Sequence, residues 1–381
     1  MGDVTFDIDE IVDESRKAAG LDDFGPQDFR PGLEALVATY GGGRFNERGR
    51  VRSRRRLVQL LTTRLRMQAA WNAHPEILER PIRRPMVLTG MPRSGTSALF
   101  NLLGRDPATR ALLLWETQFP DPIPLERGQP DPRRDAPESQ YATVPVDDPE
   151  FRKIHYTAAD NPEECVLLHA YAFHGVQLGI EILLEPYASW YRAQDLGAMY
   201  AYTRQILQLL DWQRPGQRWL LKTPAHLWGI APLIGTFPDV SIVWSHRDPL
   251  LCTASVCSMT WSILHPITEV TKQELGPLCL DFYATSLERG LAMRDEQDPG
   301  RFLDVDHDAF VDASLGIVRR IYRTFGMSIA GSAQSVFEEH IAANPRGKHG
   351  RHEYALEEYG LDHGQVRERF AAYIDRFRIS C

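Results

Sequence analysis

The chain has 381 residues, a formal net charge of −8 and a hydrophobic fraction of 43%. These values describe an ordinary globular protein with a core of its own and exclude a disordered chain or one that coats nucleic acid through a global basic bias. Five cysteines (Cys165, Cys252, Cys257, Cys279, Cys381), an odd number with no C-x-x-C pair, argue against a disulfide framework and a zinc site, so no metal is expected.

From about residue 7 to 80 the pattern is helical, broken at Gly41-Gly42-Gly43 and followed by an arginine cluster at Arg48, Arg50, Arg52, Arg54, Arg55 and Arg56. Leu57, Leu60, Leu61, Leu65 and Met67 recur at helical spacing, which predicts a helix with one face on the core and its arginines outside. The start of the chain lacks the basic and apolar regions of a signal peptide, and no apolar run reaches membrane-spanning length. A cytoplasmic protein is expected, with peripheral membrane contact and homo-oligomerisation left open.

The most informative segment is 86–104. Met86–Leu88 reads as a buried strand, Gly90 to Gly95 as a tight loop, and Ser97–Leu103 as an amphipathic helix. Backbone N–H groups at such a helix start, with the helix dipole, hold a phosphate or sulfate. The spacing approaches G-x-x-x-x-G-K-[ST], but Thr96 stands in the lysine position and the positive charge lies inside the loop at Arg93.

Ala111–Trp115 reads as a second strand. Residues 120–149 carry eight prolines and predict an irregular excursion or lid, and 161–210 returns to helical periodicity with many aromatics that could line an acceptor pocket. Further strands are predicted at Arg218–Leu221, Val240–Trp244 and 302–305, with helices at Leu227–Thr236 and 311–325. Residues 344–352 read as a basic, Gly-containing loop before a closing helix. His349 and His352 are read there as part of a solvated turn rather than a metal pair. Alternating strands and helices imply an α/β fold with a P-loop-type central parallel sheet flanked by helices. The expected organisation is a single domain over 1–381. It has an N-terminal helical extension at 1–80, a nucleotide-binding core at 84–260 that includes the helical insertion 161–210, and a C-terminal helical part at 301–381.

In an open parallel sheet, ligands bind outside the carboxyl ends of the strands. Arg93, Glu116, Lys222 and Arg247 each follow a different predicted strand, so four charged groups meet along one edge. A cationic edge of this kind suits a ligand with two separated anionic groups. A Mg·ATP kinase needs the loop lysine and an acidic strand end, whereas Ser245-His246-Arg247 offers none. Asp248 and Pro249 are explained as N-cap and first residue of a helix.

Gly90-Met-Pro-Arg-Ser-Gly-Thr-Ser97 resembles the 5′-phosphosulfate loop of sulfotransferases that use 3′-phosphoadenosine 5′-phosphosulfate (PAPS). Ser245-His-Arg-Asp-Pro249, with Ser255 eight residues after Arg247, resembles the segment that holds the 3′-phosphate in that family. Leu220-Leu-Lys-Thr-Pro224 and Leu114-Trp-Glu-Thr117 are similar to segments of tyrosylprotein and bacterial sulfotransferases. The likeness spans roughly 84–260. The resemblance implies the sulfotransferase fold, PAPS as donor, 3′-phosphoadenosine 5′-phosphate (PAP) as product, and no metal.

The same resemblance implies the residue roles. Arg93, Ser94, Gly95, Thr96 and Ser97 hold the phosphosulfate, Lys222 neutralises the leaving phosphate oxygen, Arg247 and Ser255 bind the 3′-phosphate, and Glu116 acts as base. Arg346, Gly347 and Lys348 loosely match a family loop that contacts the nucleotide. The Lys-Thr-His base segment of cytosolic members is absent, which leaves His155, His169 and His174 as alternatives to Glu116. The acceptor is expected to be the hydroxyl of a small, apolar or lipid-like molecule, with no nucleic-acid partner. A Mg-dependent P-loop kinase and a non-catalytic 3′-phosphonucleotide-binding protein are the rival readings.

Overall fold

A computed structural model describes residues 4–124, 129–136, 158–175, 181–329, 331–344 and 355–380. All of 137–157 and residues 345–354, and with them His155, Arg346, Gly347, Lys348, His349 and His352, lie outside the described residues.

Five strands form one sheet: β1 (Met86–Gly90), β2 (Thr109–Ala111), β3 (Arg218–Lys222), β4 (Ser241–His246) and β5 (Phe302–Asp306). Their order is β2-β3-β1-β4-β5, and every pairing is parallel. Side chains alternate across a strand, so each face needs its own cover. Met86, Leu88, Leu220 and Val243 pack with Leu99, Leu103 and Ile321 on one face. Val87, Leu221, Ile242 and Trp244 enter the larger core on the other, with the N-terminal helices and those at Gly197–Gln213 and Lys272–Asp295. Trp228 lies in that core at 2% exposure against Tyr191 and Phe282.

Two local expectations are corrected. The run Ala111–Trp115 is not a strand. β2 ends at Ala111 and a short helix covers Leu114–Gln118, where the Glu116 carboxylate reaches back to accept the otherwise unpaired Leu113 N–H at 3.1 Å. Nor do all the clustered arginines face outward from the helix Glu47–Ala73, since Arg56 is 1% exposed. Arg50 and Arg54 point to the beginning of the chain, donating to the Val4 carbonyl at 2.8 Å and pairing with Glu14 at 2.6 Å.

Candidate active site

The loop after β1 has an unusual backbone. Arg93 adopts φ 68°, uncommon outside glycine, and Gly95 adopts φ 87° at the N-cap of the helix Thr96–Leu103. A side chain at Gly95 would put Cβ 2.5 Å from Cδ2 of His307, so close packing and backbone conformation both select glycine. That helix start has no side-chain cap, so its first N–H groups are available to an anion. Ser97 is exposed at this mouth, whereas Ser94 and Thr96 are buried beneath it. Ser245 on β4 fixes the floor by donating its hydroxyl to the Ser94 carbonyl at 2.7 Å.

Lys222 ends β3 and is 3% exposed. Its ammonium donates to the Ser97 hydroxyl at 3.1 Å and to Glu164 Oε1 at 2.5 Å, while the Thr223 hydroxyl donates to Glu164 Oε2 at 3.1 Å. The loop, a cation and a carboxylate therefore touch. The Glu164 side chain stays 25% exposed and open to an entering molecule. Nothing in the spacing of the sequence singled out Glu164. It reaches the site because Cys165, the next residue, donates its backbone N–H to the Lys222 carbonyl at 3.1 Å.

On the other side, Arg247 follows β4 and donates from its guanidinium to the Arg93 carbonyl at 2.8 Å. Arg93 Nε in turn donates to the Ser255 hydroxyl at 3.0 Å. The Arg93 side chain thus stands with Ser255 and Arg247. Asp248 caps the helix Pro249–Leu264 by accepting the Leu250 N–H, with Pro249 in its first turn. His307, also unforeseen, packs on the loop at Gly95, and burial together with the nearby Arg247 charge pulls its pKa down.

Glu116 stands apart from this group. It is 1% exposed, and Oε1 accepts from Arg110 at 2.8 Å and from Arg214 at 2.9 Å. With Oε2 on the Leu113 N–H, the carboxylate is already engaged three times. The alternative histidines are inward-facing: His169 is fully buried and His174 bonds the Ala172 carbonyl through Nδ1. Several aromatics of the 161–210 segment, including Tyr171, Phe173, Tyr187 and Tyr200, are buried in the core as well.

A profile of the sulfotransferase family matches residues 85–331. The structure is similar to that of the sulfotransferase STF1 from Mycobacterium tuberculosis H37Rv, with a TM-score of 0.81 and 32% identity over 98% of this chain and all of that one. It is also similar to the sulfotransferase STF9 from Mycobacterium avium, with a TM-score of 0.87 and 28% identity over 100% of this chain and 99% of that one. No curated protein sequence matches the chain.

Proposed function

Because this chain belongs to the sulfotransferase family, we propose that it moves a sulfuryl group from PAPS to a hydroxyl of a small acceptor, and that Glu164 is the base. The observation that carries this reading is the contact of Lys222 with both Ser97 on the loop and Glu164. In this reading Lys222 is the cation beside the leaving bridging oxygen and Glu164 the carboxylate that meets the acceptor hydroxyl.

The loop N–H groups with Thr96 and Ser97 hold the 5′-phosphosulfate, and Arg93, Arg247 and Ser255 hold the 3′-phosphate. Gly95 lets the loop close on the anion, and Ser94 lies beneath it. Glu164 takes the proton of the acceptor hydroxyl as its oxygen bonds to sulfur, a contribution of roughly 10²–10⁴-fold from a positioned base. The sulfur–oxygen bond to the phosphate breaks, and Lys222 stabilises the charge released on that oxygen. Both charged partners are in place beforehand, so little reorganisation accompanies the transfer. The reaction needs no metal at the transferring group in this scheme. Glu116, held by two arginines, supports the helix Leu114–Gln118 and does not carry the proton. The rings of the aromatic-rich segment, from which an apolar or lipid-like acceptor is expected, are packed in the core, and the acceptor is a small hydroxyl compound. Arg346, Gly347 and Lys348 are kept as candidate nucleotide contacts.

Thermal melting with 3′,5′-diphosphoadenosine, ADP, and ATP with magnesium tests the donor, because a ligand of the folded state raises its apparent stability. The 3′-phosphorylated nucleotide should give the largest upward shift, and Arg247→Ala should abolish it. A preference for ATP with magnesium would sink the donor assignment in favour of a kinase. Strong PAP binding without turnover on any hydroxyl acceptor would point to the non-catalytic reading.

A further inference from the structure

Directly behind the Glu164–Lys222 pair lies a buried group that the proposed transfer does not use. Cys165, His169 and His226 each offer a ligand atom, and these atoms lie within 4.8 Å of one another. Cys165 Sγ stands 3.2 Å from His226 Nε2. The other ring nitrogen, Nδ1, shares a 2.8 Å hydrogen bond with the Tyr200 hydroxyl. His169 is fully buried, and neither of its ring nitrogens has a hydrogen-bond partner among the described residues. A buried imidazole with both nitrogens unsatisfied is costly, and its neighbours here are a thiol and a second imidazole.

We infer that Cys165, His169 and His226 bind one zinc-class divalent cation, with a solvent oxygen completing four-coordination. The donor set of one thiolate and two imidazoles suits zinc and other borderline transition metals rather than magnesium or calcium. With bonds of about 2.0–2.3 Å, tetrahedral ligand atoms sit roughly 3.5 Å apart. The closest pair here, at 3.2 Å, is already within that separation, and the widest, at no more than 4.8 Å, needs to contract by at most about 1.3 Å. Tyr200 supplies the outer hydrogen bond that fixes the orientation of a ligating histidine, accepting from Nδ1–H so that Nε2 presents its lone pair. Burial keeps both imidazoles in the neutral form that ligates, with His169 pushed down to about 3. Burial also pushes the Cys165 thiol up, so binding must displace its proton, and one proton leaves to solvent for each ion bound.

The sequence hides the site because C-x-x-C is absent. Cys165 and His169 are instead four residues apart around the short helix Val166–His169, and His226 arrives from the turn after β3. An ion here joins the segment carrying Glu164 to the segment carrying Lys222 and Thr223. It would act as a brace behind the site, away from the transferring group.

The test is titration of the reduced, metal-free full-length protein with Co²⁺ alone. The expected result is saturation at one ion per chain, with the near-ultraviolet charge-transfer band of a cobalt–thiolate bond, release of one proton and an upward shift in melting temperature. Cys165→Ser should remove the band, His169→Gln should weaken binding, and Cys252→Ala should leave both unchanged. Tyr200→Phe keeps all three ligands and serves if the ligand variants fail to fold; it should weaken binding about 10–100-fold. Absence of stoichiometric uptake by the folded wild-type protein, or a band that persists in Cys165→Ser, overturns the inference.

Discussion

At the scale of single residues, two glutamates show why position along the chain is a poor guide to role. Glu116 follows an apolar run and looks like a strand-end base, yet its carboxylate neutralises Arg110 and Arg214 and caps a helix. Glu164 sits in an unremarkable stretch and meets Lys222 only through long-range packing. Their substitutions should therefore separate. Glu164→Gln should retain PAP binding and lose roughly 10²–10⁴-fold in kcat. Glu116→Gln should keep most transfer, while Glu116→Ala should cost on the order of 2 kcal/mol in urea unfolding, because it leaves Arg110 buried beside Trp219 with only the longer 3.6 Å pairing to Asp211. Undiminished turnover in Glu164→Gln would return the base role to Glu116. His169 gives a pH prediction for the metal-free protein. Its folded pKa is pushed down to about 3 by burial, while its unfolded value is about 6.5, so the unfolded chain binds the proton first as pH falls. The neutral ring carries no penalty above pH 6.5. Between there and pH 5 the protein should lose about 2 kcal/mol through this group. Urea midpoints measured across that range should flatten in His169→Phe if the assignment holds.

At the scale of elements, the loop from Gly90 to Gly95 is the part most readable in advance, because glycine spacing, strand and helix are all local signals. The reading of Ala111–Trp115 fails for a physical reason: a short apolar run fits a buried strand or a buried helix equally, and the capping contact that decides lies at its far end. Arg56 escapes the same local logic. It is buried with Tyr171, Tyr40 and Glu181 as electrostatic neighbours, all from other parts of the chain. Within the loop, Gly95→Ala meets both a left-handed backbone and the ring of His307. It should destabilise the fold by more than about 1 kcal/mol and abolish the shift in melting temperature produced by PAP. A variant that binds PAP normally would show that the loop can re-form around the added methyl.

At the scale of the whole molecule, the parallel sheet and its helical cover follow from the alternation of patterns, whereas the attachment of the N-terminal helices does not. Arg64, fully buried, makes that attachment. It donates to the carbonyls of Phe24, Pro26 and Tyr171 at 2.8–3.0 Å and lies over the rings of Phe29 and Tyr202. Lysine has neither the planar fork nor the stacking surface, so Arg64→Lys should not substitute for it. Hydrogen exchange should quicken at residues 8–41 and 166–173 together in that variant, and protection unchanged in either segment would deny the link. The sheet order has one more consequence. β1 runs between β3, which ends in Lys222, and β4, which leads to Arg247. Two interstrand steps of about 4.8 Å separate those ends, so the lateral offset between the two cationic positions is roughly 10 Å. Backbone hydrogen bonding acts here as a ruler. Substitutions in the side chains can strengthen or weaken the grip on either anionic end of a ligand, but changing the length of ligand that fits requires rebuilding the sheet.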